Sequence, residues 1–424
     1  MITNANELGF LPGNDADRNS AALQSAVDQG GEINVSLPGI YDISNPIEIG
    51  DDTSLIFAEG ITLRRVPCKG GINGNAFINK GAFSRQINKN ITLIGLNLDC
   101  NGVESTGFGV GSRYVGLRAQ VGFIYVKNLR VEKFTCTGLY KKDYGIQISA
   151  FKNIHLEDLF IEGKKDGVHL GWGSDFIIRN GRFRTFDDPI ALNAFDYSVS
   201  NTHVGWIENG LIENCYDLSD DDTVGYFCRI LGGAWVNWYS GMEVQHSDTV
   251  CHAGNIYRVV MNATDGKLYK SVTPPTHSFG VEEYDGINWV CTQEGTHLDC
   301  GCRNITLRNI HLEKKRNSAV AISLNHDTYA QSCYPGCRPI PHSNITIDKV
   351  YIKNEVKYLL HSNYPSENIT LKNTDLDRSL LGFYTDFSRC VIDYPQVELH
   401  TENVPFPEKN LVTDGIHKVN LIQS

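Results

Sequence analysis

Among the charged residues of this chain, three aspartates combine a type and a spacing suited to chemistry. They are Asp166, followed by glycine, and the adjacent pair Asp187 and Asp188, followed by proline. Asp188 comes 22 residues after Asp166. In a chain that completes one turn in 22 residues, the two sit one layer apart, about 4.8 Å along the axis, with Asp187 beside them. Carboxylates that close raise at least one pKa, leaving a protonated acid next to an ionised base. Cleavage of a glycosidic bond needs such a pair. Aspartate also favours turns, and an isolated Asp-Gly step carries no chemical message. Two such turns in register, the second with a doubled aspartate, favour a functional reading.

Other residues fall near this cluster. His169 is one position from an apolar column and so points outward near Asp166, either as a groove residue or as a structural histidine. Asn193 and Asp196 follow Asp188 on the same turn and are candidates for binding sugar hydroxyls. Lys165 and Arg229 are candidates for substrate contact. With Lys164, Arg179, Arg182 and Arg184 they are clustered enough to line a basic groove, although solvated surface charge explains them equally well. The run Asp220, Asp221 and Asp222 reads as a solvated loop rather than a calcium site. Cys300, Cys302, Cys333 and Cys337 lack the usual Cys-x-x-Cys spacing of zinc ligands, so buried thiols or local disulfides explain them better. No metal and no cofactor is expected.

The elements that position these residues are legible as a repeat. The phrases NITLIGLNLD from Asn90, NIHLEDLFIE from Asn153, NITLRNIHLE from Asn304, NITIDKVYIK from Asn344 and NITLKNTDLD from Asn368 alternate apolar and polar residues after an asparagine. Period-two alternation between turn residues means strand, turn, strand, and its recurrence means a solenoid. Overlaying YGIQISA from Tyr144, DGVHLGW from Asp166 and DPIALNA from Asp188 gives two equal offsets of 22 residues. Ile146, Val168 and Ile190 then form one interior column, and Ile148, Leu170 and Leu192 another. The expected fold is all-β, a single-stranded right-handed parallel β-helix. The Asn-Ile-Thr triplets match an N-glycosylation pattern, but their fixed phase in the repeat is better explained by asparagine closing a turn.

At 424 residues the chain exceeds one ordinary globular core, and 40 glycines with only 3 methionines suit many short strands and tight turns. A net charge of -11 argues against nucleic acid and anionic membranes as partners. No run reaches the roughly 20 apolar residues of a membrane span, and no signal-peptide core follows Met1. The expected locations are secretion, a bacterial cell envelope or a phage virion, and the sequence leaves the oligomeric state open. Twelve cysteines are compatible with disulfides, but their scatter argues against a framework.

Three regions follow: 1–246, a cap and β-helix coils; 247–298, an inserted small β-module; and 299–424, the remaining coils. The stretch from Asn14 to Gly31 places Ala21, Ala22 and Val27 with helical spacing, which predicts a helix covering the open end of the solenoid. In the insert, Asp265-Gly266, Pro274-Pro275 and Asp285-Gly286 mark turns. Cys251 and Cys291 flank it and are candidates for a bridge. Tyr257, Tyr269, Tyr284 and Trp289 suit a mini-core better than a sugar platform.

The opening helix and the strand Gly39-Ile40-Tyr41-Asp42-Ile43 resemble the pectate-lyase-like superfamily, which implies the β-helix and no particular reaction. The insert resembles small modules of phage tail proteins. The segment DGVHLGW…FDDPIALNA resembles glycoside hydrolase family 28, the polygalacturonases, and their bacterial relatives. Lys164-Lys165-Asp166-Gly167 stands at the family's Asn-Thr-Asp-Gly motif and Phe186-Asp187-Asp188 at its Gly-Asp-Asp motif. The aspartates match and their neighbours differ. The resemblance implies Asp187 as general acid, with Asp166 and Asp188 activating water for an inverting hydrolysis. The family's later Gly-His-Gly and Arg-Ile-Lys motifs are not clearly present, and Arg229-Ile230-Leu231 is a candidate basic partner. The expected activity is therefore a glycoside hydrolase acting on a polysaccharide or oligosaccharide. A lyase on a uronic acid polymer and a non-catalytic sugar-binding spike are the alternatives.

Overall fold

The repeat is one full turn of a solenoid in the computed structural model of the chain. The structure describes residues 2–69, 74–105, 107–219, 224–377, 379–384, 389–390, 396–405, 407–416 and 418–423. The expected Asp220–Asp222 loop lies outside the described residues. Among the described residues twenty-six strands join in one sheet and pair in parallel, each coil bonding to the next. Parallel strands joined through crossovers wind right-handed, which makes the fold a right-handed parallel β-helix.

The two expected columns are present and extend further. Val121, Ile146, Val168, Ile190, Cys228, Val320 and Leu360 stack in register, as do Phe123, Ile148, Leu170, Leu192, Ile230 and Ile322. All are buried. Full burial of one such aliphatic side chain stabilises the fold by roughly 1.5–3 kcal/mol. A strand exposing one face to water would lose half of these positions, which is why the interior reads as unbroken apolar columns.

The recurring asparagines form a second ladder outside the core. Asn90, Asn128, Asn153, Asn209, Asn304, Asn344 and Asn368 all adopt left-handed backbone conformations, with φ between 53° and 58°. Amide nitrogens along the ladder bond to the coil before: Asn128 to Asn90 at 2.8 Å, Asn153 to Asn128 at 2.8 Å, Asn344 to Asn304 at 2.9 Å. Asparagine tolerates this conformation better than most residues, and its side chain supplies a donor and an acceptor for stacking. The Asn-Ile-Thr phase is thus a corner of the solenoid.

At the N-terminal end, helix α1 (Ala16–Val27) is capped by Asp15, whose side chain accepts the Arg18 N–H at 3.0 Å. Its inward face is Leu23, Ala26 and Val27, with Ala22 partly buried against the core, while Ala21 is exposed. Gln24 fixes the helix to the solenoid by bonding both to and from the Glu48 backbone. Among the described residues no helix is long and apolar enough to cross a membrane.

Between Gly233 and Cys300 the chain leaves the solenoid. A two-stranded neck, Gly233–Ala234 with Asp299–Cys300, leads to a five-stranded sheet that includes Thr249–His252, Asn255–Val259 and Ile287–Glu294. The departure thus starts at Gly233 rather than Ser247: the first strands of the excursion, Val236–Asn237 and Met242–Val244, are short and joined through the Ser240-Gly241 turn. The chain returns at Cys302–Leu312, which pairs in register with Ile207–Asp217. Tyr257 and Trp289 are fully buried, as a mini-core requires. Cys251 and Cys291 are thiols rather than a bridge, and Cys300, Cys302, Cys333 and Cys337 are buried thiols as well.

Candidate active site

The strands Val168–Leu170, Ile190–Asn193 and Tyr226–Leu231 lie side by side on successive coils, and each begins just after a turn. Those turns carry Asp166, then Asp187 and Asp188, then Gly225 and Tyr226. The Gly167 N–H donates to the Asp188 carbonyl at 3.0 Å, so the aspartates stack as the repeat requires. Oxygens of Asp166, Asp187 and Asp188 lie within 4.8 Å of one another.

Burial divides the three. Asp166 and Asp188 are 5% and 1% exposed, whereas the Asp187 side chain keeps 20% and faces solvent. Burial raises the pKa of Asp188 well above the usual carboxylate range, and the charges of Asp187 and Asp166 raise it further. Arg229 and the Tyr226 N–H, which donates to Asp188 Oδ1 at 2.6 Å, oppose the rise. Burial also raises Asp166, and a bond of 2.8 Å from its Oδ2 to His169 Nδ1 works against that. Asp187 instead meets the Lys165 ammonium at 2.7 Å. Burial opposes the Lys165 cation, but the Asp187 charge holds its pKa above the ordinary lysine value.

Gly225 closes the cluster. Its φ is 77°, and a Cβ there would lie 2.5 Å from Asp188 Oδ1 and 2.7 Å from Asp187 Oδ1. Only glycine lets the chain pass this close in this conformation.

Arg229 stands on the column of His169 and Ala191, one coil beyond the aspartates. Burial opposes its charge, yet Asp196, Asp188 and Asp166 together keep its pKa raised. Its guanidinium lies 4.0 Å from Asp196 Oδ2. With the Asn325 amide turned so that its oxygen faces Arg229, that oxygen accepts from the guanidinium.

His169, Asn193 and Asp196 depart from expectation. His169 points away from the core but is fully buried, stacked on Tyr144 with ring centroids 4.6 Å apart. Asn193 and Asp196 are buried and bonded to each other at 2.8 Å. Direct contact with sugar hydroxyls is closed to all three, because the loops 107–118 and 195–206 fold over the outward face of these strands. Lys165 and Arg229, with side chains 33% and 15% exposed, retain access.

Sequence reasoning missed Tyr144, Arg118, Tyr197, Gly225, Tyr226 and Asn325. Arg118 donates to Tyr197 Oη at 2.9 Å, which ties one covering loop to the other, and to the Lys142 carbonyl at 3.0 Å. Only the Gly225-Tyr226 step carried a signal, as the turn before the CRIL strand.

No protein-family model matches the chain, and no curated protein matches it. Solved structures do. A polygalacturonase from Erwinia carotovora ssp. carotovora superposes with a TM-score of 0.52 at 13% identity, over 97% of this chain and 95% of that one. The family 28 exopolygalacturonase of Yersinia enterocolitica gives 0.49 at 12% identity, over 100% and 79%. A mannuronan C-5 epimerase module from Azotobacter vinelandii gives 0.49 at 12% identity, over 100% and 99%. At these identities the likeness is one of architecture. The chain shares with them the parallel β-helix fold.

Proposed function

We propose that the protein is a glycoside hydrolase that cleaves a polysaccharide or oligosaccharide at the cluster of Asp166, Asp187 and Asp188. One observation carries the reading: three carboxylates offer oxygens within 4.8 Å of each other, and only Asp187 reaches solvent appreciably. A cluster built this way retains a proton, because burial and mutual repulsion make full ionisation costly. In the resting site the proton resides on Asp188, the carboxyl whose charge burial and its two neighbours most disfavour, while Lys165 lies against Asp187. When a sugar chain enters, the proton passes to Asp187, which delivers it to the leaving oxygen. Asp188, now ionised, and Asp166 draw a proton from the attacking water.

Inversion is proposed from the resemblance to family 28. The cluster's oxygens, within 4.8 Å of one another, lie closer than the roughly 6.5–9.5 Å between carboxyl groups in most inverting enzymes, so inversion rests on the resemblance alone and the product anomer decides it.

The test is a panel of neutral and acidic polysaccharides assayed for new reducing ends and for ultraviolet absorbance of unsaturated products. New reducing ends without unsaturation, with an inverted anomer in the first product by NMR, are expected. Unsaturated product means a lyase, and binding without cleavage means a sugar-binding protein. On a glycoside with a good aryl leaving group, which needs no acid, Asp187→Asn should keep most of its rate while Asp188→Asn should not. Equal loss in both would overturn the division of roles.

A further inference from the structure

We propose that a second sugar-binding site, selective for an anionic hexuronate residue, lies where the inserted module meets the solenoid. The inference rests on the carbohydrate reading above but not on cleavage.

The site is a cavity of about 440 Å³ walled by residues 110–115 of one covering loop, by residues 279–292 of the module, and by Arg85 of the solenoid. Its size is that of an ordinary small-ligand pocket. Among the described lining residues, two arginines face one glutamate, Glu283, so the cavity is locally basic in a chain whose net charge is -11. Arg85 donates to the carbonyls of Ser278 and Cys291 at 2.8 and 2.7 Å, which pins the module to the solenoid and fixes the guanidinium there. Arg113 lies 3.3 Å over the Phe83 ring, with Glu48 as its partner outside the cavity.

The remaining features also match a sugar. Phe279 and Val110 stand at the cavity 51% exposed, with the Arg85 guanidinium 5.3 Å from the Phe279 ring centroid, so an apolar face and a cation adjoin each other there. A pyranose presents an apolar C–H face that can cover Phe279, while its carboxylate meets the two guanidinium groups. Thr292 is 5% exposed and its hydroxyl has no partner, an unmet polar group that a sugar hydroxyl would satisfy.

The loops that wall the cavity also reach the strands that carry the aspartates. The loop that carries Arg113 runs on to Arg118, which contacts Tyr144 and Tyr197. Thr202 lines the cavity, and its neighbour Asn201 donates to the Asn193 carbonyl at 2.7 Å.

Binding of galacturonate, glucuronate and mannuronate oligosaccharides, each beside its fully methyl-esterified form, tests this by calorimetry on the full chain. At least one acid form should bind about tenfold tighter than its ester. Phe279→Ala and Arg113→Met should each weaken that binding about tenfold, with folding retained because both side chains are largely exposed. Asp188→Asn should leave it intact. Equal binding of acid and ester, no binding by any acid form, or indifference to Phe279→Ala would overturn the site. Binding that responds to Phe279 in a protein that cuts nothing would sustain this site and sink only the hydrolytic reading.

Discussion

Lys165 Nζ and Asp187 Oδ2 lie 2.7 Å apart, brought together by one turn of the solenoid. This pair puts a positive charge beside the most exposed carboxylate of the cluster. Removing it with Lys165→Met leaves Arg229 beside Asp188 and Asp166, with Arg316 on the Asp187 backbone carbonyl at 3.2 Å. The cluster then holds its proton to higher pH, since each lost positive charge disfavours ionisation. The pH–rate profile should move upward as a whole, with a loss of about tenfold or more at the wild-type optimum. A profile with unmoved limbs would show that the lysine is a surface charge with no part in the cluster.

Burial of Asp188 should cost stability. A carboxyl whose pKa is raised by folding costs little while protonated at low pH. The penalty grows as pH rises above the unfolded value and levels off beyond the raised one, because the fold must then accept a buried charge. Asp188→Asn removes the charge and keeps the shape, so it should melt at least about 2 °C above the wild type near neutral pH. The gap should close as pH falls toward about 4. Activity of the same variant should fall by roughly 100- to 10,000-fold. A variant that melts lower than wild type at neutral pH would mean that Asp188 is held as a paired anion.

Gly225 separates backbone strain from crowding. Gly225→Ala places a methyl group 2.5 Å from Asp188 Oδ1 at a φ of 77°, so it incurs both conformational strain and a clash inside the cluster. Gly266→Ala, at a φ of 59° with nothing within 4 Å, incurs the strain alone. The Gly266 variant should lose about 1 kcal/mol and keep full activity. The Gly225 variant should lose more stability and nearly all turnover. Matching effects in the two would show that Gly225 serves only the turn.

The legible part of this molecule is the part with an unbroken period. Tyr144, Asp166 and Asp188 follow each other at one constant spacing, so the apolar columns and the stacking of the aspartates could be read directly. From Ile190 to its partner Cys228 the spacing is much longer, because an additional loop leaves the coil after Asn193. The position of Arg229 above His169 and Ala191 was thereby hidden. From Ile207 to its partner Cys302 it is longer still, since the module intervenes. The burial of His169, Asn193 and Asp196 was illegible for a related reason. An outward position in a strand predicts exposure, and nothing periodic in the loops 107–118 and 195–206 says that they fold back over that face.

The module itself bears on the site through Arg258. This arginine, 1% exposed on Asn255–Val259, donates to the carbonyls of Asp196 and Asn201 and packs its guanidinium 4.6 Å over the Phe195 ring. Burial pulls its pKa down to about 10, even with Asp196 acting in the opposite direction. Two further bonds come from the module, Ser198 N–H to Ser247 Oγ at 2.9 Å and Val204 N–H to Gln293 Oε1 at 3.0 Å. The loop that covers the aspartate strands is therefore held from above by the insert, and deleting the insert should not be silent. Arg258→Met keeps most of the packing volume but leaves two buried carbonyls unpaired. It should destabilise the protein by about 2–4 kcal/mol. Hydrogen exchange should quicken across residues 195–206 while the strands Val168–Leu170 and Ile190–Asn193 keep their protection. Turnover should fall with the loop, because Asp196 would no longer be fixed against Arg229. Unchanged exchange in the loop, with the melting temperature lowered uniformly, would reduce Arg258 to a core residue of the module.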